Sequence, residues 1–369
     1  MKLGKIAFSS RQVPLNRPEI GFAERRAVDS VLRGGNLAQG AKVLEFEKGF
    51  SKFVDSYSCV ALNSGTSALH LGLLALGVGA GDEVIVPSFT FAATANAVAI
   101  TGAKPIFVDI EPSHFSINPE AVEAAITKKT KGIVAVHLYG HPANLELLSK
   151  IAKKHGLYLI EDAAQAHLAK FNGRSVGSWG DVSAFSFYPT KNMTTGEGGM
   201  AVTGNSSVER NLRLLRNQGM EIRYKNEIPG FNNRMTEVAA AIGVVQLKKI
   251  ERWTLARQKN ASFLDTSLVG VEVPKVAPGA EHVYHQYTVK LNGHDRDRFA
   301  SELRKLGVDN DVYYPTPVHE LPAYREIHDL PVTKEVSQSC LSIPVHQNLT
   351  NSDLHRIAGA VNKLARAGS

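Results

Sequence analysis

Cysteine is nearly absent: the 369 residues hold two, Cys59 and Cys340, far apart and in no Cys-x-x-Cys pair. Neither a disulfide framework nor a metal site is expected of them, and their scarcity fits a reducing compartment. Long apolar runs are missing as well. No stretch approaches the roughly 18 residues that cross a bilayer, and the opening MKLGKIAFSSRQVPLNRP lacks the apolar centre of a secretory leader. A cytoplasmic protein with no membrane partner is expected. Blocks of like charge are wanting too. The 42 Lys and Arg against 35 Asp and Glu give a net charge of +7, but the charges are spread along the chain, as on a mixed solvated surface, and form no nucleic-acid footprint. Internal repeats and low-complexity segments are also lacking.

What is present, 43% apolar and 21% charged residues with 31 Gly and 16 Pro, is the composition of a folded chain and excludes collagen, coiled coil and disorder. Its length predicts a large domain and a smaller one, divided here into 1–250 and 251–369. Helical periodicity opens the chain, first with Ile20, Ala23, Ala27 and Val31, then with Val43, Phe46, Phe50 and Phe53. Short apolar runs at 83–87, 104–109, 132–138 and 157–162 read as buried strands, separated by helical segments at 66–76, 91–101, 118–127 and 144–155. That alternation predicts an α/β fold with a mainly parallel sheet covered on both faces. A long helical pattern over 234–266, with Val238, Ile242, Val245 and Ile250 on one face, leads to a smaller α+β lobe. That lobe has a strand in HVYHQYTVKL and helices at 295–306 and 352–366.

Ligands of such sheets bind beyond the carboxyl ends of the strands, where Asp109 and Asp162 stand. The most unusual stretch is SAFSFYPTKNMTTGEGGMAVT, in which a strand runs into Lys191 and then a loop of small hydroxyls and glycines. A lysine there is either a surface cation or a nucleophile able to form a Schiff base with a carbonyl. The second role needs an acid for a pyridinium nitrogen, an aromatic face and a phosphate cradle. Asp162 supplies a carboxylate, or else caps the following helix. NSGTSALHLGLLAL reads as a turn into a helix N-terminus, where Gly65, Thr66 and Ser67 offer donors to a phosphate or serve as plain capping.

Taken together, NSGTSALHLGLLALGVGAGDEVIVPSFTFAATANAV, VHLYGHPANL, LIEDAAQAH, SAFSFYPTKNMTTGEGGM and GFNNRMTEVAAAIGVVQL resemble the DegT family of pyridoxal-phosphate aminotransferases, which act on nucleotide-linked keto sugars. The likeness runs in order from about residue 13 to near the end. It implies the aspartate-aminotransferase-like fold and a set of roles. Lys191 forms the Schiff base with pyridoxal 5′-phosphate and shuttles the proton, and Asp162 pairs with the pyridinium nitrogen. Phe91 stacks on the ring, although it and Phe89 would otherwise both read as core residues and only the family pattern selects Phe91, and Gln165 lies beside the ring's phenolic oxygen. Thr66, Ser67, Ser186 and a neighbouring subunit's Asn232 hold the phosphate, which makes the protein a homodimer with shared sites.

VYYPTPVHELPAY resembles the family's YPxPLHxQ segment and offers Tyr314 and His319 to the sugar, with Arg234 offered to the diphosphate or a sugar acid. His319 as a turn residue and Arg234 as an interface ion-pair partner are the plainer alternatives. The family resemblance implies glutamate as amino donor, ping-pong turnover and a C3-keto hexose. A C4-keto sugar, a keto-cyclitol, a pyridoxal-phosphate dehydratase and a non-catalytic cofactor- or sugar-binding regulator are the rivals. Two departures stand out: Leu321 replaces the motif's glutamine, and Leu168 replaces the glycine after AQAH, which is expected to narrow the space near the cofactor or shift a loop.

Overall fold

The computed structural model describes residues 12–325 and 328–367; most of the N-terminal stretch that lacks a leader's apolar centre falls outside them. Seven strands form the central sheet: β1 (Ser58–Leu62), β2 (Glu83–Pro87), β3 (Lys104–Val108), β4 (Thr130–Val136), β5 (Tyr158–Asp162), β6 (Val182–Ser186) and β7 (Gly199–Thr203). Their order is β1-β7-β6-β5-β4-β2-β3. The run from β6 to β3 is parallel, while β7 lies antiparallel to both β1 and β6.

These strands are apolar along their length because helices cover both faces. Strand side chains alternate, so Ile85 of β2 enters one core while Val84 and Val86 enter the other. The first core takes Phe46 and Phe50 of α2 (Ala41–Ser51) and Leu145 and Leu148 of α6 (Leu145–His155). The second takes Leu69 and Leu73 of α3 (Gly65–Ala75) and Val208 and Leu212 of α7 (Ser206–Arg216). The opening helix α1 spans Phe22–Gly34, and α5 spans Pro119–Ala124 behind an Asn118 cap. The helix expected from residue 91 starts at Ala93 (α4, Ala93–Ala99), which leaves Phe91 in the turn after β2.

The long pattern over 234–266 is two helices, α8 (Glu237–Leu247) and α9 (Ile250–Ser267). The break is held from outside: Lys249 Nζ lies 2.6 Å from Glu24 Oε1, and Gln246 Nε2 donates to the Glu19 carbonyl at 2.8 Å. The buried face of α8 is also not the expected one. Ala240, Ala241, Gly243 and Gln246 are buried, while Val238, Ile242 and Val245 are half-buried. Phe46 decides this, because a Cβ at Gly243 would sit 2.7 Å from its ring, so only glycine admits the phenyl group.

A further core joins Ala261 and Leu264 of α9 to Tyr287, Val289, Leu341 and Ile343. The last four lie on an antiparallel pair, β8 (Tyr287–Lys290) and β9 (Cys340–Ile343). Helices α10 (Arg296–Lys305) and α12 (Asn351–Ala367) complete it, and Val13 packs there too, its N–H donating to the Gly307 carbonyl. Val318 and Val336, the latter on α11 (Pro331–Ser339), instead join the sheet's second core. We propose that the two lobes divide near residue 250, as the composition of these cores supports, with Val13 belonging to the smaller lobe and α11 docking on the larger.

Candidate active site

The carboxyl end of β5 delivers Asp162 to the floor of a cavity of about 680 Å³. The turn after β6 delivers Lys191 to the same cavity. Burial pulls the lysine amine down to about 8 while the Asp162 charge opposes that shift, so about a tenth is the nucleophilic free base at pH 7, far more than for an ordinary lysine. Asp162 is fixed from two sides: its Oδ2 accepts from Thr94 Oγ1 at 2.7 Å and its Oδ1 from the Ala164 N–H at 3.2 Å. Thr94 in turn lies 3.0 Å from the Thr90 hydroxyl.

Gln165 is clamped at both ends of its amide. Its oxygen accepts from the Tyr139 N–H at 2.6 Å and its nitrogen donates to Tyr314 Oη at 3.0 Å. Tyr314 tilts against Phe91, with ring centroids 5.9 Å apart, and Phe91 is 58% exposed at the cavity wall. Opposite lies the N-terminus of α3, where Gly65 and Thr66 line the cavity beside Ser186. The first N–H groups of a helix have no intrahelical partner, so this end presents donors to an anion. Gly65 is required there because a Cβ would meet the Ser186 Cβ at 2.7 Å.

Of the residues singled out from the sequence, Gly65, Thr66, Phe91, Asp162, Gln165, Ser186, Lys191 and Tyr314 share this cavity. Four do not. Ser67 is used by the helix cap, its N–H donating to Ser64 Oγ at 3.1 Å and its hydroxyl to Asn63 Oδ1 at 2.7 Å. His319 is buried against the Phe107 ring with its Nδ1 2.5 Å from Ser88 Oγ, which makes it a turn residue of the core. Arg234 donates to Asn217 Oδ1 at 2.7 Å, and Asn232 bridges to Asn217 at the exposed surface.

Asp109 serves as a cap, its carboxylate accepting from the N–H groups of Val332 and Thr333 at the start of α11. Leu168 packs on the sheet's first core rather than lining the cavity, so it does not narrow the cofactor space. It sits at φ +69°, a backbone conformation that explains why glycine suits the position. Leu321 likewise packs on the second core, away from the cavity.

Sequence reasoning passed over several lining residues: Thr90, Tyr139, Tyr188, Glu197, His285 and Asp311. For Tyr188 and Glu197 the signal was present, since both lie in the lysine stretch. Thr90 and Tyr139 likewise lie in stretches that carry the resemblance, PSFTF and VHLYGHPANL, whereas His285 and Asp311 converge from segments that have no motif of their own.

A buried, partly neutral lysine amine, a pinned carboxylate and a helix N-terminus around one cleft of an α/β sheet are the site of a pyridoxal-phosphate enzyme, and they fit that cofactor at aldehyde, ring nitrogen and phosphate. The comparisons agree. The model of the DegT/DnrJ/EryC1/StrS aminotransferase family matches residues 18–362, and the chain belongs to that family. It is 41% identical to the "Pleiotropic regulatory protein" of Geobacillus stearothermophilus, over 86% of each chain. It is 39% identical to the dTDP-3-amino-3,4,6-trideoxy-alpha-D-glucose transaminase of Streptomyces venezuelae, over 92% of this chain and 91% of that one. Among solved structures it resembles S. venezuelae DesV in complex with a ketimine intermediate, at a TM-score of 0.90 and 38% identity, covering 93% of this chain and 94% of that one. The protein is a sugar aminotransferase of this family, and its cofactor is pyridoxal 5′-phosphate.

Proposed function

We propose that this enzyme aminates a nucleotide-diphosphate-linked keto hexose, at C3 in preference to C4 or a keto-cyclitol, with glutamate as donor and ping-pong turnover. The observation that carries the reading is Lys191 and Asp162 in one cavity, the amine reactive and the carboxylate held by hydrogen bonds. Pyridoxal phosphate supplies, when bound, the electron sink that makes the C–H bond next to the reacting nitrogen acidic.

This chain's residues do the rest. Lys191 Nζ anchors the aldehyde carbon and then, released as a free amine, carries the proton between substrate carbon and cofactor. Asp162 holds a proton on the ring nitrogen, and Thr94 keeps the carboxylate aimed. The α3 N-terminus with Thr66 and Ser186 takes the phosphate, Phe91 covers the ring, and Gln165 and Tyr314 close the side toward the sugar. The exposed Asn232 and the half-buried Arg234 are assigned to the site of a second subunit in a homodimer, Asn232 toward the phosphate and Arg234 toward the substrate diphosphate.

Support for C3 comes from the YPTPVH segment that seats Tyr314 in the cavity and from the 3-amino product named for the S. venezuelae relative. A sensor, as the Geobacillus relative's name suggests, has no use for a lysine amine tuned to react.

The test runs the half-reaction backwards across nucleotide-linked 3-amino and 4-amino sugars, following the cofactor's colour change, and then assays amination with and without glutamate. A faster change with the 3-amino sugars and glutamate-dependent amino-sugar formation are expected. Equal or faster 4-amino turnover overturns the C3 assignment, and a deoxy-keto product formed without any donor overturns transamination.

A further inference from the structure

The segment carrying His285 is tied down from several directions. The Val283 N–H donates to the Gly140 carbonyl at 3.1 Å and the Gln286 N–H to the Tyr139 carbonyl at 3.2 Å. Gln258 Nε2 donates to the His282 carbonyl at 3.0 Å, and Arg257 Nη1 to the carbonyls of Tyr284 and His285 at 3.1 and 3.4 Å. In this frame His285 is only 3% exposed, yet it lines the cavity with Lys191.

Its ring hydrogen-bonds to the residue that follows the lysine: Nδ1 lies 3.3 Å from Asn192 Oδ1. The amide of Asn192 is oriented by its other end, where Nδ2 donates to the Val283 carbonyl at 3.2 Å. The amide oxygen therefore accepts, and His285 Nδ1 carries the proton. In the neutral ring Nε2 is then a lone-pair acceptor. Burial and the charges of Lys191 and Arg257, with His167 and His282 also nearby, keep the ring neutral far below an ordinary histidine's range. Gly140 is part of the same construction, since a Cβ there would lie 3.0 Å from the His285 backbone nitrogen.

We propose that His285, acting through Asn192, is a positioning residue that holds Lys191 in place for its proton transfers. When the lysine leaves the cofactor aldehyde it loses its covalent tether and must return to the same point in every half-reaction. The His285–Asn192–Val283 clamp keeps the backbone at Asn192 fixed while it does so. A neutral imidazole adds no positive charge to a pocket that must tolerate a cationic lysine for part of the cycle. The inference rests on Lys191 being the cofactor lysine.

The experiment compares the loaded wild type with His285→Phe, His285→Gln and Asn192→Asp. It measures kcat and KM for the sugar and the pH midpoint of the cofactor's visible band. His285→Phe is expected to lower kcat by about 10- to 100-fold with little change in KM and to move the band's midpoint. His285→Gln keeps an N–H for Asn192 Oδ1 and is expected to restore most of both. Asn192→Asp places a carboxylate next to the lysine and is expected to move the midpoint upward. Unchanged kcat and midpoint in His285→Phe, or equal damage in the Phe and Gln variants, overturns the proposal in favour of simple packing. Should His285→Phe not fold, the Gln and Asp variants decide: a midpoint unmoved by Asn192→Asp overturns it. A visible band unchanged in position and intensity in Lys191→Ala overturns the cofactor-lysine reading itself, and this inference with it.

Discussion

At the scale of the residue, the proposed chemistry depends on a carboxylate whose aim is set by a threonine from another element. Asp162 was legible because it ends an apolar run at the sheet's carboxyl edge. Thr94 was not, since it lies 68 residues earlier and meets Asp162 only when the start of α4 comes to the carboxyl end of β5. Asp162→Asn keeps the shape but cannot hold a proton on the ring nitrogen as an anion does, so kcat is expected to fall by about 10²- to 10⁴-fold while the cofactor still loads. Thr94→Val removes one hydrogen bond worth about 1.5–3 kcal/mol to a charged acceptor and is expected to lower kcat by less. Steady-state rates with the visible band as a loading control check both. His319 shows the reverse situation: the family motif points to the sugar, but the folded chain turns the ring onto Ser88 Oγ in the core.

At the scale of the element, several helices are started by side chains remote in sequence. The residue before α2 is Gly40, which has no side chain to cap with. Glu237, from the first turn of α8, takes that role by accepting from the N–H groups of Gly40, Lys42 and Val43, each at 2.9 Å. Asp109 does the same for α11. Helix α2 was expected from its apolar face alone, and its start was invisible because the cap comes from 194–197 residues away. Glu237→Ala leaves three N–H groups without acceptors and is expected to cost about 2–3 kcal/mol. Glu237→Gln, which keeps one oxygen, is expected to cost less. Urea midpoints of the two variants against wild type test this, with similar losses counting against the capping role.

At the scale of the whole molecule, the interior holds many neutral histidines. His141 and His346 are pushed down to about 4 by burial, with nearby positive charge adding to it, and His167 to about 3. His282 and His285 are lowered well below the ordinary range for the same first reason. In the unfolded chain all five protonate near pH 6.5, so between that pH and about 4 the unfolded state binds more protons and stability falls with falling pH. Each adds to that fall within its own window, so the losses reinforce one another. The urea midpoint is expected to be flat from pH 8 to 7 and to drop steeply between 6.5 and 5. A midpoint unchanged at pH 5.5 contradicts these buried neutral rings.

The amino-acid sequence by itself determined the strand and helix alternation, the choice of Lys191 and Asp162 as the candidate lysine and acid, and the family, because these reside in local periodicity and in contiguous motifs. Tertiary structure alone decided where α8 ends and which face it buries, who caps α2 and α11, that Ser67 bonds within the α3 cap and His319 packs against Ser88, that Thr94 reaches Asp162, and that His285 reaches the cavity. Apart from the Ser67 cap, each of those depends on a partner far along the chain. A hydrogen bond or a ring contact across such a separation leaves no periodicity behind, and it exists only once the sheet has brought its strand ends together.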